Sequence, residues 1–243
     1  MTVRKKIMIE IPTVLEMLKA GLHFGHRTSK MHPKMKPYVF TQKNGVHIIN
    51  VELTQEKLKE ALEFVTKIVS NGGTILFLGT KKQAQAIVKK YAEECQMPHI
   101  TERWLGGTFT NFAEISRVIR KYSSLKEKRK SGELKKYTKK EQLKFDREIE
   151  KLEKVVGGIE SLKKIPEAIY IVDLKKEKTA LAEATTKEIP VVAICDSNVN
   201  PDRINYVIPG NDDAIKSIEM VTRLVAEAVV AGKNEGEVKT NLK

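Results

Sequence analysis

Cysteine is nearly absent from this chain: Cys95 and Cys195 are the only two, a hundred residues apart. That spacing matches no metal-binding or redox motif, so thiol-ligated and disulfide-stapled folds are set aside and a reducing compartment is expected. Aromatic residues make up 6% of the chain, and Trp104 is the single tryptophan. No apolar stretch nears the roughly 20 residues that span a bilayer. The N-terminus MTVRKKIMIEIP is basic but is not followed by the apolar run of about 7–15 residues that a signal peptide needs. A soluble chain of the cytoplasm or an organelle is therefore expected, with no membrane partner. Also missing is any Ser/His/Asp or Cys/His grouping that would make a nucleophile. No catalytic residue, metal ligand, cofactor or small-molecule substrate is expected.

What is present is length, apolar content and positive charge. The 243 residues suit one large domain or one domain with an insertion, and 41% hydrophobic content allows a real core. The net charge is +13 and the pI near 9.5, which points to a polyanionic partner. The excess is not spread evenly. Residues 1–50 carry +7 and residues 117–154 carry +8, while 51–116 are neutral and 155–243 are slightly acidic. Two concentrated patches favour nucleic acid over a generally basic surface. A membrane-surface protein would share the basicity, but no long amphipathic apolar face supports that reading.

Periodicity gives the organisation. Pro12 to Ala20 reads as a short helix closed by Gly21. Two apolar runs around Asn44-Gly45 read as a β-hairpin. Thr54 to Ser70 reads as an amphipathic helix. Strands and helices then alternate: Thr74–Leu78, the helix Thr80–Cys95, Ala168–Val172, the helix Lys175–Lys187, Val191–Ile194, Tyr206–Ile208, and a closing helix Asp212–Ala231. Continuous apolar strands separated by helices imply a parallel sheet covered on both faces.

Residues 112–157 interrupt this pattern. Phe112, Ile115, Ile119 and Tyr122, then Phe145, Ile149, Leu152 and Val156, follow the spacing of a coiled-coil seam. Ser131-Gly132-Glu133 between them reads as a turn. The expected fold is thus α/β, a flavodoxin-like (Rossmann-like) parallel sheet with helices on both faces, plus an inserted antiparallel coiled-coil hairpin. Residues 1–111 and 158–232 would form the sheet domain with a basic N-terminal extension, 112–157 the hairpin, and 233–243 a disordered polar tail.

The stretch GGTILFLGTKKQ, residues 72–83, outlines a phosphate-binding strand–loop–helix junction. It lacks the glycines of a Walker loop and of a dinucleotide fingerprint. Thr80 followed by Gln83 instead suits a capping box. A nucleotide-binding α/β enzyme using Lys81, Asp173 and Asp196 at the strand ends is the alternative reading. Against it, Asp173 suits a helix cap and Asp196 a turn. His23, His26 and His32 stand among Arg27, Lys30, Lys34 and Lys36, which favours RNA contact or local structure over metal. Trp104, next to Arg103, would either stack on a base or pin the hairpin to the sheet.

Four segments, LEMLKAGLHFGHRTSKMHPKMKPYVFTQKNGVHIIN (15–50), LFLGTKKQAQ (76–85), RWLGGTFTNF (103–112) and the stretch 166–218 from PEAIYIVDL to DDAIKSI, resemble the small-subunit ribosomal protein S2 family of bacterial or organellar type. The resemblance covers nearly the whole chain in order. It implies a flavodoxin-type domain with a coiled-coil hairpin, a non-catalytic structural role in translation, and small-subunit ribosomal RNA as partner. It also implies neighbouring small-subunit proteins, including ribosomal protein S1 in bacteria, and a place on the cytoplasmic or organellar ribosome. The expected RNA-binding residues are Arg4, Lys5, Lys6, His23, His26, Arg27, Lys30, Lys34, Lys36, Arg103, Trp104, Arg120, Lys121, Lys126, Lys128, Arg129 and Lys130.

Overall fold

The computed structural model describes residues 9–241. Helix α1 (Val14–Lys19) opens on Thr13, whose hydroxyl accepts from the Glu16 N–H while the Glu16 carboxylate accepts from the Thr13 N–H. Strands β1 (Phe24–Arg27), β2 (Val39–Lys43) and β3 (Val46–Ile49) form a small antiparallel sheet in the order β1-β3-β2. The β2–β3 turn is Asn44-Gly45, with φ of 52° and 74°. Asparagine and glycine tolerate this left-handed pair best, which explains why so short a sequence signal was readable. Strand β1 was not anticipated; its sequence, FGHR, has no alternating apolar pattern.

The remaining elements are α2 (Val51–Ser70), β4 (Ile75–Leu78), α3 (Lys82–Glu94), β5 (His99–Ile100), α4 (Phe112–Lys130), α5 (Lys139–Val156), β6 (Ala168–Ile171), α6 (Lys178–Thr186), β7 (Val191–Cys195), β8 (Tyr206–Pro209) and α7 (Ile215–Asn241). Strands β4 to β8 make a parallel sheet in the order β5-β4-β6-β7-β8. Counted along these five strands the order is 2-1-3-4-5, the flavodoxin-like arrangement. Successive strand residues feed opposite cores, because side chains alternate across a sheet. Phe77, Tyr170, Val192 and Ile194 pack with α2, α3 and α7 on one face. Leu76, Leu78, Ile169, Ile171 and Ala193 pack with α6 and the root of the α4–α5 hairpin on the other.

The hairpin forms as the seam spacing implies. Ile115, Ile119, Tyr122, Ile149 and Val156 are buried and merge with the second core. Its tip turns at Gly132, with φ of 76°, and re-enters helix through the capping box of Thr138 and Glu141. Helix α7 does not stop near Gly232 as expected but continues to Asn241. Gly232 and Gly236 make this continuation fit: a Cβ there would sit 2.7 Å from the Thr66 carbonyl oxygen and 3.0 Å from that of Ser70. The two glycines let α7 lie close against the end of α2.

Candidate functional site

In a parallel sheet of this order, the loops after the strand C-termini converge. Here they bring together Lys81 after β4, Asp173 after β6, Asp196 after β7, and Asp212 and Asp213 after β8. The Lys81 Nζ lies 2.6 Å from Asp213, 2.9 Å from Asp212 and 3.2 Å from Asp173. Strand β1 adds His26, whose Nδ1 is 2.9 Å from Asp196 and whose Nε2 is 3.5 Å from Asp213. The His26 backbone N–H also donates to the Asp196 carboxylate and to the Ser197 hydroxyl. The close approach uses Gly25, where a Cβ would stand 2.9 Å from the Ser197 oxygen.

The charges explain one another. Burial works against the Lys81 ammonium, but Asp213, Asp212 and Asp173 outweigh it and hold the amine protonated. Burial, with Asp173 and Asp196 adding to it, raises the Asp212 carboxyl to about 7 although Lys81 pulls the other way. The hydrogen bond to Asp196 and the surrounding carboxylates raise the His26 imidazole. Lys81 and Asp173 are thus in contact, as the nucleotide reading requires, while Asp196 pairs with His26 beside them. However, Lys81 is spent on carboxylates, and an incoming phosphate would meet four acids. The arrangement disfavours a nucleotide and suits a polar latch between the two sheets. His26, Asp196, Asp212 and Asp213 also offer ligand atoms within 4.8 Å of one another, a spacing compatible with a cation.

The Thr80–Gln83 capping box does not form. Helix α3 starts at Lys82 with Lys81 at its N-cap and no side-chain cap. Thr80 is turned away: its N–H and hydroxyl both donate to the buried carboxylate of Glu177, and Lys176 donates to its carbonyl. Asp173 has φ of 66° and accepts from the Lys176 N–H, so it shapes the turn after β6 rather than capping α6, which begins only at Lys178.

Glu183 on α6 was overlooked in the sequence, where it looks like any helical acid. It is buried and accepts from the Trp104 indole N–H at 3.0 Å, from the N–H groups of Gly107, Phe109 and Thr110, and from the Thr110 hydroxyl. Burial opposes its charge, but these donors prevail and lower its pKa. Trp104 is 7% exposed and packs edge-on against Phe109. Its ring is covered, so of the two roles considered for it the pinning of the hairpin root is the one this geometry suits. Arg103 beside it is exposed.

The remaining expected contacts divide by partner. Arg4, Lys5 and Lys6 lie outside the described residues. Arg27, Lys30 and Lys36 are exposed, whereas Lys34 is paired with Asp202. His23 is partly buried against Phe24, and its pKa is lowered by burial. His32 accepts from the Lys34 N–H and its own N–H donates to the Ser197 carbonyl, a local structural role. On the hairpin, Lys121 pairs with Glu148, Lys126 with Glu160 at 2.7 Å and Arg129 with Asp146 at 3.1 Å. Arg120, Lys128 and Lys130 are exposed. Among the described residues no helix is long and apolar enough to cross a membrane. Compared with known families, residues 17–232 match the model described as Ribosomal protein S2.

Proposed function

Because the chain belongs to the ribosomal protein S2 family, and so is a structural component of the small ribosomal subunit, we propose that it binds small-subunit ribosomal RNA through two basic surfaces and performs no catalysis. One surface is the N-terminal region with Arg27, Lys30 and Lys36. The other is the α4–α5 hairpin. The observation that carries this reading is the contrast between them and the strand ends. Where an α/β enzyme of this topology would hold its ligand, Lys81 is closed off by three carboxylates. Arg27, Lys30 and Lys36 on the first surface and Arg120, Lys128 and Lys130 on the second are exposed. Phosphate contacts from lysine and arginine give affinity without base specificity and make binding salt-dependent.

Neighbouring small-subunit proteins, with ribosomal protein S1 among them in bacteria, complete the proposed set of partners, on a cytoplasmic or organellar ribosome. The test is sedimentation of the tagged chain from a cell lysate. Comigration with the small-subunit particle is expected, and a pool that stays monomeric would refute the assignment. Calorimetry with ATP, GTP and NAD at about millimolar concentration addresses the enzyme reading; no heat is expected from any of them.

A further inference from the structure

The net positive charge of the hairpin is concentrated at its tip. The shaft, residues 112–127 and 145–160, holds seven basic and seven acidic side chains and is electrically neutral. The tip, residues 128–144, holds eight basic and two acidic side chains, a net of +6. Ion pairs occur in both parts. In the shaft, Arg117, Lys121 and Lys126 each have a carboxylate partner, while Arg120, Arg147, Lys151 and Lys154 are exposed with none within 4.0 Å. At the tip Arg129 and Lys136 have one. Among the described residues, Lys128, Lys130, Lys135, Lys139, Lys140 and Lys144 are exposed and have no carboxylate within 4.0 Å.

The backbone makes this concentration costly in the free protein. Lys139 and Lys140 are the first two residues of α5, where the positive end of the helix dipole disfavours cations. Glu141 offsets them in part, but its carboxylate is occupied by Thr138. The end of α4 brings Lys128 and Lys130 to the same end of the hairpin. Those two suit the dipole at the end of α4, so the conflict is confined to the start of α5, and a local conflict of this kind points to a functional site.

Resting on the rRNA-binding reading above, we infer that the tip is the phosphate-binding element of the hairpin and that the shaft is a neutral spacer. At 1.5 Å per residue, the shaft holds the tip about 25 Å from the sheet. The ligand is an RNA phosphodiester backbone rather than an acidic protein. Tyr137 is packed on Phe145 beneath the Lys136 amine. Tyr137, still 39% exposed, and Leu143, 52% exposed, are the two large apolar side chains exposed among the described tip residues. A protein interface needs more apolar anchors than these two, whereas phosphates need only spaced cations.

The test compares two charge-matched variants of the full chain in filter binding to a small-subunit ribosomal RNA transcript. One carries Lys135→Gln, Lys139→Gln, Lys140→Gln and Lys144→Gln; the other carries Arg120→Gln, Lys121→Gln, Lys126→Gln and Arg147→Gln. Over about 50–200 mM salt, the tip variant should lose roughly 3 from the slope of log affinity against log salt, and the shaft variant less than about 1. Equal losses, or a larger loss in the shaft variant, would overturn the tip assignment and leave rRNA binding by the chain intact. Failure of the unaltered chain to bind the transcript would overturn both. Polyglutamate that displaces the chain as well as RNA of equal charge would overturn the choice of RNA.

Discussion

The Nδ1 of His26 stands 2.9 Å from a carboxylate oxygen of Asp196, a residue 170 positions later in the chain. This contact ties the small antiparallel sheet to the end of β7 in the large one. The groups facing the imidazole are Asp196, Asp212 and Asp213, all acidic.

Stability should therefore respond to pH in a defined sense. The pKa of His26 and that of Asp212 are both raised in the folded state, Asp212 to about 7. A raised folded pKa stabilises most below the unfolded value, and the contribution is lost as pH rises through the folded value. Urea denaturation in the presence of chelator should show the gap between the unaltered chain and His26→Asn narrowing above about pH 6.5. For Asp212→Asn, stability relative to the unaltered chain should improve between about pH 4 and 7. A gap independent of pH in both variants would mean that neither group titrates as described.

Glu183 gathers five donors from the loop that leads into α4. Replacing it with alanine leaves buried N–H groups unpaired and should cost about 3 kcal/mol or more. Its lowered pKa adds that its stabilisation is present at neutral pH and lost as pH falls below the ordinary carboxylate range. Chemical denaturation at neutral and acidic pH measures both. A cost below about 0.5 kcal/mol would show that the loop does not depend on the carboxylate.

Gly158 lies where the chain leaves the hairpin and passes over the edge strand β5. A Cβ there would sit 2.2 Å from the His99 carbonyl oxygen and 2.7 Å from its ring. Gly158→Ala should destabilise by about 1–3 kcal/mol, because backbone must move. Gly157→Ala is the control, since its Cβ would come closest to the flexible Glu153 side chain, at 3.3 Å, and meet the Tyr122 hydroxyl at an ordinary contact of 3.8 Å. Equal urea midpoints for the two variants would contradict the packing.

Cys95 and Cys195 are both buried, and burial raises both thiol pKa values, that of Cys95 to about 11. A disulfide-exchange reagent at about pH 8 should therefore react with neither thiol until denaturant is added. Rapid labelling of the native chain would show that one of the two cores opens readily.

The hairpin at Asn44-Gly45, the apolar strands and the seam of α4 and α5 were readable in the sequence because their signals are local. Each lies in a few neighbouring residues whose backbone preference or side-chain period suffices. The capping box at Thr80 was also a local signal, and it did not form. Glu177, 97 residues away, takes both the N–H and the hydroxyl of Thr80. A buried carboxylate that needs donors outweighs a cap that solvent could replace.

Taken alone, the amino-acid sequence determined the alternation of strands and helices apart from β1 and the short edge strand β5, the two faces of the core and the place of excess charge along the chain. These depend on side-chain periodicity and composition, which a linear reading preserves. Tertiary structure alone decided which charges remain available. It set Lys81 among Asp173, Asp212 and Asp213, turned Trp104 inward onto Glu183, and neutralised Lys121 and Lys126 with Glu148 and Glu160. Most of these partners lie tens of residues apart or more, so only the folded chain can bring opposite charges within the few ångströms over which they pair.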